Sequence, residues 1–186
     1  MGARRTRPLW RGVGPTRTHR LAAVAIVAAA LAGCRGSGAL QTARAAPAVF
    51  DPVAFFVGNS RGEGRLKVML SGARNVQVES RGVMTADGGI ALDQWVREDG
   101  KPARQRTWRL RPVGGGRWAG SLSDAGGPVM GEVAGNRLRL RFRLKSGLPA
   151  EQRLDLQPDG HTVLNVLVVR KWGMVVARLD ETIRRE

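Results

Sequence analysis

Asp93 and Trp95 lie two residues apart, and so do Arg106 and Trp108. In an extended chain, residues two apart share a face. If the tryptophans point into a β-structure, a carboxylate and a guanidinium point in with them. An isolated buried ion is very costly, so the two charges are expected to pair. Asp124 is a candidate third member of this group and Asn165 a fourth. Such a cluster would be a polar anchor for a ligand headgroup at the end of an apolar pocket. The other readings are a structural ion pair, or a bulge that turns these residues outward. Trp95, Trp108, Trp118 and Trp172 likewise either line a cavity or fill a core.

Enzyme chemistry has thin support. The chain has two histidines, too few for a histidine-rich metal site. His19 lies near the N-terminus and His161 follows the turn-forming Pro158-Asp159-Gly160, where a solvated turn histidine is the plainer reading. Gly114-Gly115-Gly116 precedes no helix and makes no phosphate-binding loop. The expectation is a protein that is not an enzyme and uses no cofactor or metal.

The elements that must position these residues read as strands. Turn signals arrive about every ten residues, at Asp87-Gly88-Gly89, Asp99-Gly100, Gly114-Gly115-Gly116, Gly135-Asn136, Pro158-Asp159-Gly160 and Trp172-Gly173. Between them the chain alternates with period two. In RLRLRFRL, Leu138, Leu140, Phe142 and Leu144 fall on one side and Arg137, Arg139, Arg141 and Arg143 on the other, the separation a strand makes and a helix does not. The pattern predicts strands over 63–70, 75–86, 90–98, 104–113, 117–123, 128–134, 137–144, 150–157, 162–171 and 174–184. One helical turn is predicted at 51–56, with Asp51 as its cap, Pro52 at its first position, and Phe55 and Phe56 able to plug the base of a β-structure. Strands joined by tight turns predict an all-β, up-and-down antiparallel barrel of about 8–10 strands, which leaves no exposed edge.

The N-terminus reads differently. Residues 1–20 carry Arg4, Arg5, Arg7, Arg11, Arg17 and Arg20 and no acid, and residues 21–32, LAAVAIVAAALA, are uncharged. A basic stretch before a short apolar run is the layout of a secretory signal. The run falls short of the roughly 20 residues that cross a bilayer. It ends in Leu31-Ala32-Gly33-Cys34, which resembles the lipobox of bacterial lipoproteins, where the signal is cut before a cysteine that is then acylated. Cys34 is the only cysteine, so no intrachain disulfide can form. Residues 1–33 are expected to be a lipoprotein signal, 34–49 a flexible tether of small polar residues, and 50–186 the barrel. Arg35 after the cysteine, where aspartate is absent, points to the outer membrane facing the periplasm.

Within the barrel segment the order Phe55-Phe56-x-Gly58-x-x-x-Gly62-x-Gly64, Asp93-x-Trp95-x-x-x-Asp99-Gly100, Trp108-x-Leu110, Trp118-x-Gly120, Asp124-x-x-Gly127, Gly135-Asn136, Asp159-Gly160, Asn165 and Lys171-Trp172-Gly173 resembles a family of small, uncharacterised bacterial lipoproteins. The resemblance covers roughly 50–184 and implies a lipocalin-like barrel. It implies no activity, and the Gly-x-Trp signature of true lipocalins is missing near the first strand.

Charge narrows the partners. The 186 residues include 31 Lys and Arg against 15 Asp and Glu, a formal net charge of +16. Nucleic acid is the default partner of so basic a chain. Export argues against it, and no aromatic residues interleave the Arg137–Arg143 ribbon to stack bases. Anionic lipid suits that ribbon better, unless it is simply solvated. The resulting expectation is a membrane-anchored envelope lipoprotein that binds a lipid or other small apolar ligand. The alternative is a structural or partner-binding lipoprotein with a filled barrel.

Overall fold

The computed structural model describes residues 48–186. The expected signal, the expected acylation site at Cys34 and nearly all of the expected tether therefore lie outside the described residues.

The domain begins with a plug. Phe50 is only 2% exposed, and its backbone N–H donates to Gly135 O at 2.9 Å. Helix α1 (Pro52–Phe56) follows. Asp51 caps it in extended backbone, its Oδ1 accepting from the Val53 and Ala54 amides at 2.9 and 3.1 Å, and Pro52 opens the first turn. These groups satisfy amide donors that no helical carbonyl can reach. Phe55 and Phe56 pack edge to face at 4.8 Å between centroids, and Phe50 packs on Phe55 at 5.9 Å.

Ten strands complete the chain: β1 (Gly58–Val68), β2 (Gly72–Met84), β3 (Ile90–Glu98), β4 (Arg104–Gly114), β5 (Arg117–Leu122), β6 (Val129–Ala134), β7 (Arg137–Arg143), β8 (Pro149–Leu156), β9 (Thr162–Lys171) and β10 (Met174–Arg185). Each pairs antiparallel with its sequence neighbours, and β1 also pairs with β10, which closes the sheet into a lipocalin-like barrel. Closure removes every unpaired edge. Among the described residues no helix is long and apolar enough to cross a membrane.

All ten predicted strands are present, with one informative shift. The first begins at Gly58, five residues before the predicted start at 63. Its opening, Gly58-Asn59-Ser60-Arg61-Gly62, has no apolar residue to show an alternation. The β7 pattern holds: Leu138, Leu140 and Phe142 are 1%, 3% and 7% exposed, and the arginines between them face out.

The meander puts alternate hairpins at opposite ends. Helix α1 closes one end, where the phenylalanines, Ile90, Leu92, Trp108, Leu110, Trp118, Leu138 and Leu154 form the main core. A smaller cluster of Val76, Val78, Val96 and Leu179, with Leu66 and Leu167 against it, lines the other half. That half ends at a mouth ringed by the β1–β2, β3–β4, β5–β6, β7–β8 and β9–β10 hairpins.

Candidate functional site

Between the two apolar clusters lies a belt of polar side chains. Ser60, Ser80, Gln94 and Arg106 stand in register across β1, β2, β3 and β4. Residues directly opposite on antiparallel strands share a face, so all four point inward. Gln94 organises the row. Its Oε1 accepts from Arg106 Nε at 2.7 Å and from Trp108 Nε1 at 2.9 Å, while its Nε2 donates to Ser80 Oγ at 2.9 Å. On the adjoining wall Asn165 Nδ2 donates to Glu181 Oε2 at 2.7 Å. Asn165 is 2% exposed and Glu181 6%.

Glu181 owes its place to two glycines on β1. A Cβ at Gly62 would lie 1.9 Å from Glu181 Oε1, and one at Gly64 would lie 2.8 Å from Glu181 Cβ. Any larger residue would displace the carboxyl group. The polar, glycine-rich start of β1 is thus the floor on which Glu181 rests.

Burial dominates the electrostatics. It lowers the pKa of the Arg106 guanidinium, against the raising effect of Glu181. It raises the pKa of the Glu181 carboxyl, against the Asn165 hydrogen bond and the charge of Arg106. Both directions follow from the cost of charge in low dielectric. Among the described residues no carboxylate lies within salt-bridge distance of Arg106. Its Nε meets a neutral amide, and the guanidinium lies 6.0 Å from the Trp108 ring centre.

Arg106 and Gln152 form a partition. On the helix side is a residual space of about 30 Å³, bounded by Phe56, Leu92, Trp108 and Leu140, about the share of liquid volume of one water. On the mouth side is a cup of about 160 Å³, walled by Val76, Val78, Val96, Phe142, Leu167 and Leu179. Arg106 and Gln152 border both spaces. Glu98, Arg104 and Asp124 stand at the cup's rim. Arg104 pairs with Asp124, and Glu98 accepts from Arg74 at 2.8 Å and lies 2.9 Å from Lys101 Nζ. Burial pushes the Glu98 carboxyl up, but the bonds from Lys101 and Arg74 outweigh it and hold the pKa below the usual value.

The expected Asp93–Arg106 pair does not exist. Asp93 lies opposite Thr107 on the outer face and accepts from its hydroxyl at 2.8 Å. Trp95 is also outside and 42% exposed. On β3 the inward set is Ile90, Leu92, Gln94 and Val96, so the two tryptophans do not share a face. Arg106, Trp108 and Asn165 face inward, and Asp124 reaches the rim. Trp118 fills the core and Trp172 is 84% exposed. Glu181, Gln94 and Gln152 were missed by the sequence reading. Each sits two residues from buried apolar neighbours on both sides, as in Leu179-x-Glu181-x-Ile183, and that spacing was the signal.

His161 is exposed, and its backbone amide donates to Asp159 Oδ1 at 2.9 Å in the β8–β9 turn at the helix end. It therefore lies away from the cup. Among the described residues no cluster of three His, Cys, Asp or Glu could hold a metal. The outward arginines of β7 are partly neutralised by β8: Arg137 pairs with Asp155, while Arg139 and Arg141 lie 3.7 and 3.4 Å from Glu151.

The family model described as "Protein of unknown function (DUF3833)" matches residues 28–185, and the chain belongs to that family. No curated protein matches the sequence. Among solved structures, the S-type phycobiliprotein lyase CPES from Guillardia theta is similar at TM-score 0.56 and 10% identity, over 72% of this chain and 90% of its own. Rv2717c from M. tuberculosis is similar at TM-score 0.56 and 18% identity, over 74% and 99%. At these identities the likeness is one of fold.

Proposed function

We propose that this protein is a bacterial envelope lipoprotein, anchored through Cys34 and facing the periplasm from the outer membrane. Its barrel binds the acyl end of a small amphiphile that carries one negative charge. The observation that carries this reading is Arg106: a half-buried, inward guanidinium that among the described residues has no carboxylate in salt-bridge distance, bordering an apolar cup that opens at one end. A carboxylate or similar anion seated there would supply the missing partner, and charge-assisted hydrogen bonds are the strong ones. Gln152 beside it adds an amide, and the valine and leucine walls take the chain.

The cup's volume limits the guest. Sites for drug-sized molecules run to about 300–1,000 Å³, so a cavity of about 160 Å³ takes one short chain and not a whole diacyl lipid. A longer chain would extend out through the mouth. The cup-lining polar groups are guanidinium, carboxyl and amide, with no nucleophile beside a base, which supports binding over catalysis. The alternative of a solid structural barrel draws on the helix-side half, which is filled, but it leaves the mouth-side cup without a role.

Calorimetric titration of the full chain with octanoic acid and with methyl octanoate tests the proposal. The acid should bind at least tenfold more tightly, because only it can pair with Arg106. Equal affinities, or no binding by either, would refute it.

A further inference from the structure

The two hairpin tips beside the cup carry an exposed apolar lip. β1 pairs with β10, and Met69 N donates to Val176 O at 2.9 Å, so the β1–β2 and β9–β10 turns are neighbours. Leu70 at the first tip is 100% exposed and Trp172 at the second 84%. Met69, Met174 and Val175 beside them are 46–54% exposed. Both tip residues hold left-handed backbone, at φ +67° for Leu70 and +49° for Trp172. That conformation is uncommon for a large side chain.

The lip is basic as well as apolar. Residues 67–74 and 170–176 contain Lys67, Arg74, Arg170 and Lys171 and no acid. Arg74 is taken by Glu98. Among the described residues Lys67, Arg170 and Lys171 have no salt bridge. The Lys171 ammonium sits 4.5 Å from the Trp172 ring centre, which groups cation and indole at one tip. The lip also continues into the cup, since Leu66, Leu167 and Leu179, which line it, belong to the same strands.

We propose that the barrel docks mouth-down on an anionic lipid bilayer, with Leu70 and Trp172 in the headgroup layer and Lys67, Arg170 and Lys171 among the phosphates. Indole rings favour that depth, where one end is apolar and the other wet. Lysine and arginine near an anionic surface each favour the bound state. Docking in this pose turns the open end of the cup toward the membrane. The inference rests on the ligand reading above, because it gives the cup's guest a route that avoids water.

The test uses the full chain as the cell makes it, reconstituted with vesicles of phosphatidylcholine alone or with about a third phosphatidylglycerol, some carrying brominated acyl chains. Tryptophan quenching by bromolipid is read for the wild type and for Trp172→Phe and Trp95→Phe. The quenched component should appear in anionic vesicles, vanish in Trp172→Phe and persist in Trp95→Phe. Lys67→Ala and Lys171→Ala should each lower the docked-to-undocked ratio roughly fivefold at low salt. No quenching assignable to Trp172 would overturn the proposal. So would a dimer formed without lipid that covers the lip and shields Trp172. Octanoate binding measured on the same samples separates the two readings. Binding without Trp172 quenching sinks the docking alone, and quenching without binding supports docking while sinking the ligand reading.

Discussion

Replacing Arg106 with methionine separates an anchor from a structural ion. Breaking a buried ion pair by removing one partner costs about 3–5 kcal/mol, because the other charge is left stranded. Arg106 has a weaker structural claim. Its nearest bond is to the neutral Gln94 carbonyl at 2.7 Å, and its Coulomb partner Glu181 already has a pKa raised by burial. When the guanidinium goes, that pKa rises further and Glu181 can take up a proton instead of remaining a lone charge. Methionine is unbranched and fills the arginine stem's space. The loss of the Trp108 contact, about 0.5–1 kcal/mol, is small beside the relief of burying no cation; with Glu181 protonated the change approaches replacement of a whole buried pair by apolar groups, often neutral or stabilising by about 1–4 kcal/mol. Trp108 keeps its bond to Gln94. Arg106→Met is therefore expected to be neutral to about 3 kcal/mol more stable in urea melts of the apo protein.

Ligand binding should move the other way. A hydrogen bond to a charged group contributes about 1.5–3 kcal/mol, so octanoate affinity should fall by roughly 10- to 150-fold. Methyl octanoate should be unaffected. Two results would refute the reasoning. A loss of 3 kcal/mol or more in the apo protein would show that Arg106 is held as half of a structural pair. Unchanged octanoate binding would show that the anion sits elsewhere.

The remaining expectations concern Glu181, the register and the anchor. Glu181 has a folded pKa above its unfolded value, so its contribution is fully present below about pH 4.5 and is lost as pH rises through the folded pKa. The stability of wild type relative to Glu181→Gln should accordingly fall as pH rises from 4, and a flat difference between pH 4 and 8 would contradict the assignment. Gly62→Ala should cost about 1–3 kcal/mol by overpacking, and the same change in a Glu181→Ala background should cost far less; additive effects in the double-mutant cycle would break the link between glycine and carboxyl. Leu140→Asp should unfold the domain, while Arg141→Gln on the outer face should stay within about 0.5 kcal/mol, so similar melting temperatures would sink the β7 register. Cys34→Ala should abolish metabolic lipid labelling and release the protein from membranes, and a variant still found there to the same extent would overturn the anchor.

The strands were legible because β7 and its neighbours alternate cleanly and glycine-bearing turns punctuate them. The plug was legible in Asp51-Pro52 followed by two phenylalanines. The site was only half legible. Tryptophan is a poor marker of the inner face here: on β3 the marker is the set Ile90, Leu92 and Val96, which leaves Trp95 outside and carries Asp93 with it. Read by the parity of the whole strand, Gln94 would have appeared between two buried residues, and Glu181 likewise between Leu179 and Ile183. What no parity shows is the space that the carboxyl group needs. That comes from Gly62 and Gly64 on a strand distant in sequence, and it becomes visible only when the barrel closes β1 against β10.

One half of this barrel is filled and the other keeps a cup. The helix-side half is packed by phenylalanines, Trp108, Trp118 and leucines, large groups that fill a ten-stranded interior down to a space the size of one water. The mouth-side half is walled by four valines, five leucines and Phe142, and it keeps a cup of about 160 Å³. The polar belt sits where the two regimes meet. A filled core could have continued past that level with leucine in place of Arg106 and Glu181, at no cost in buried charge. Arg106 held there instead, at the boundary of the open space, is the group that the proposed guest would meet.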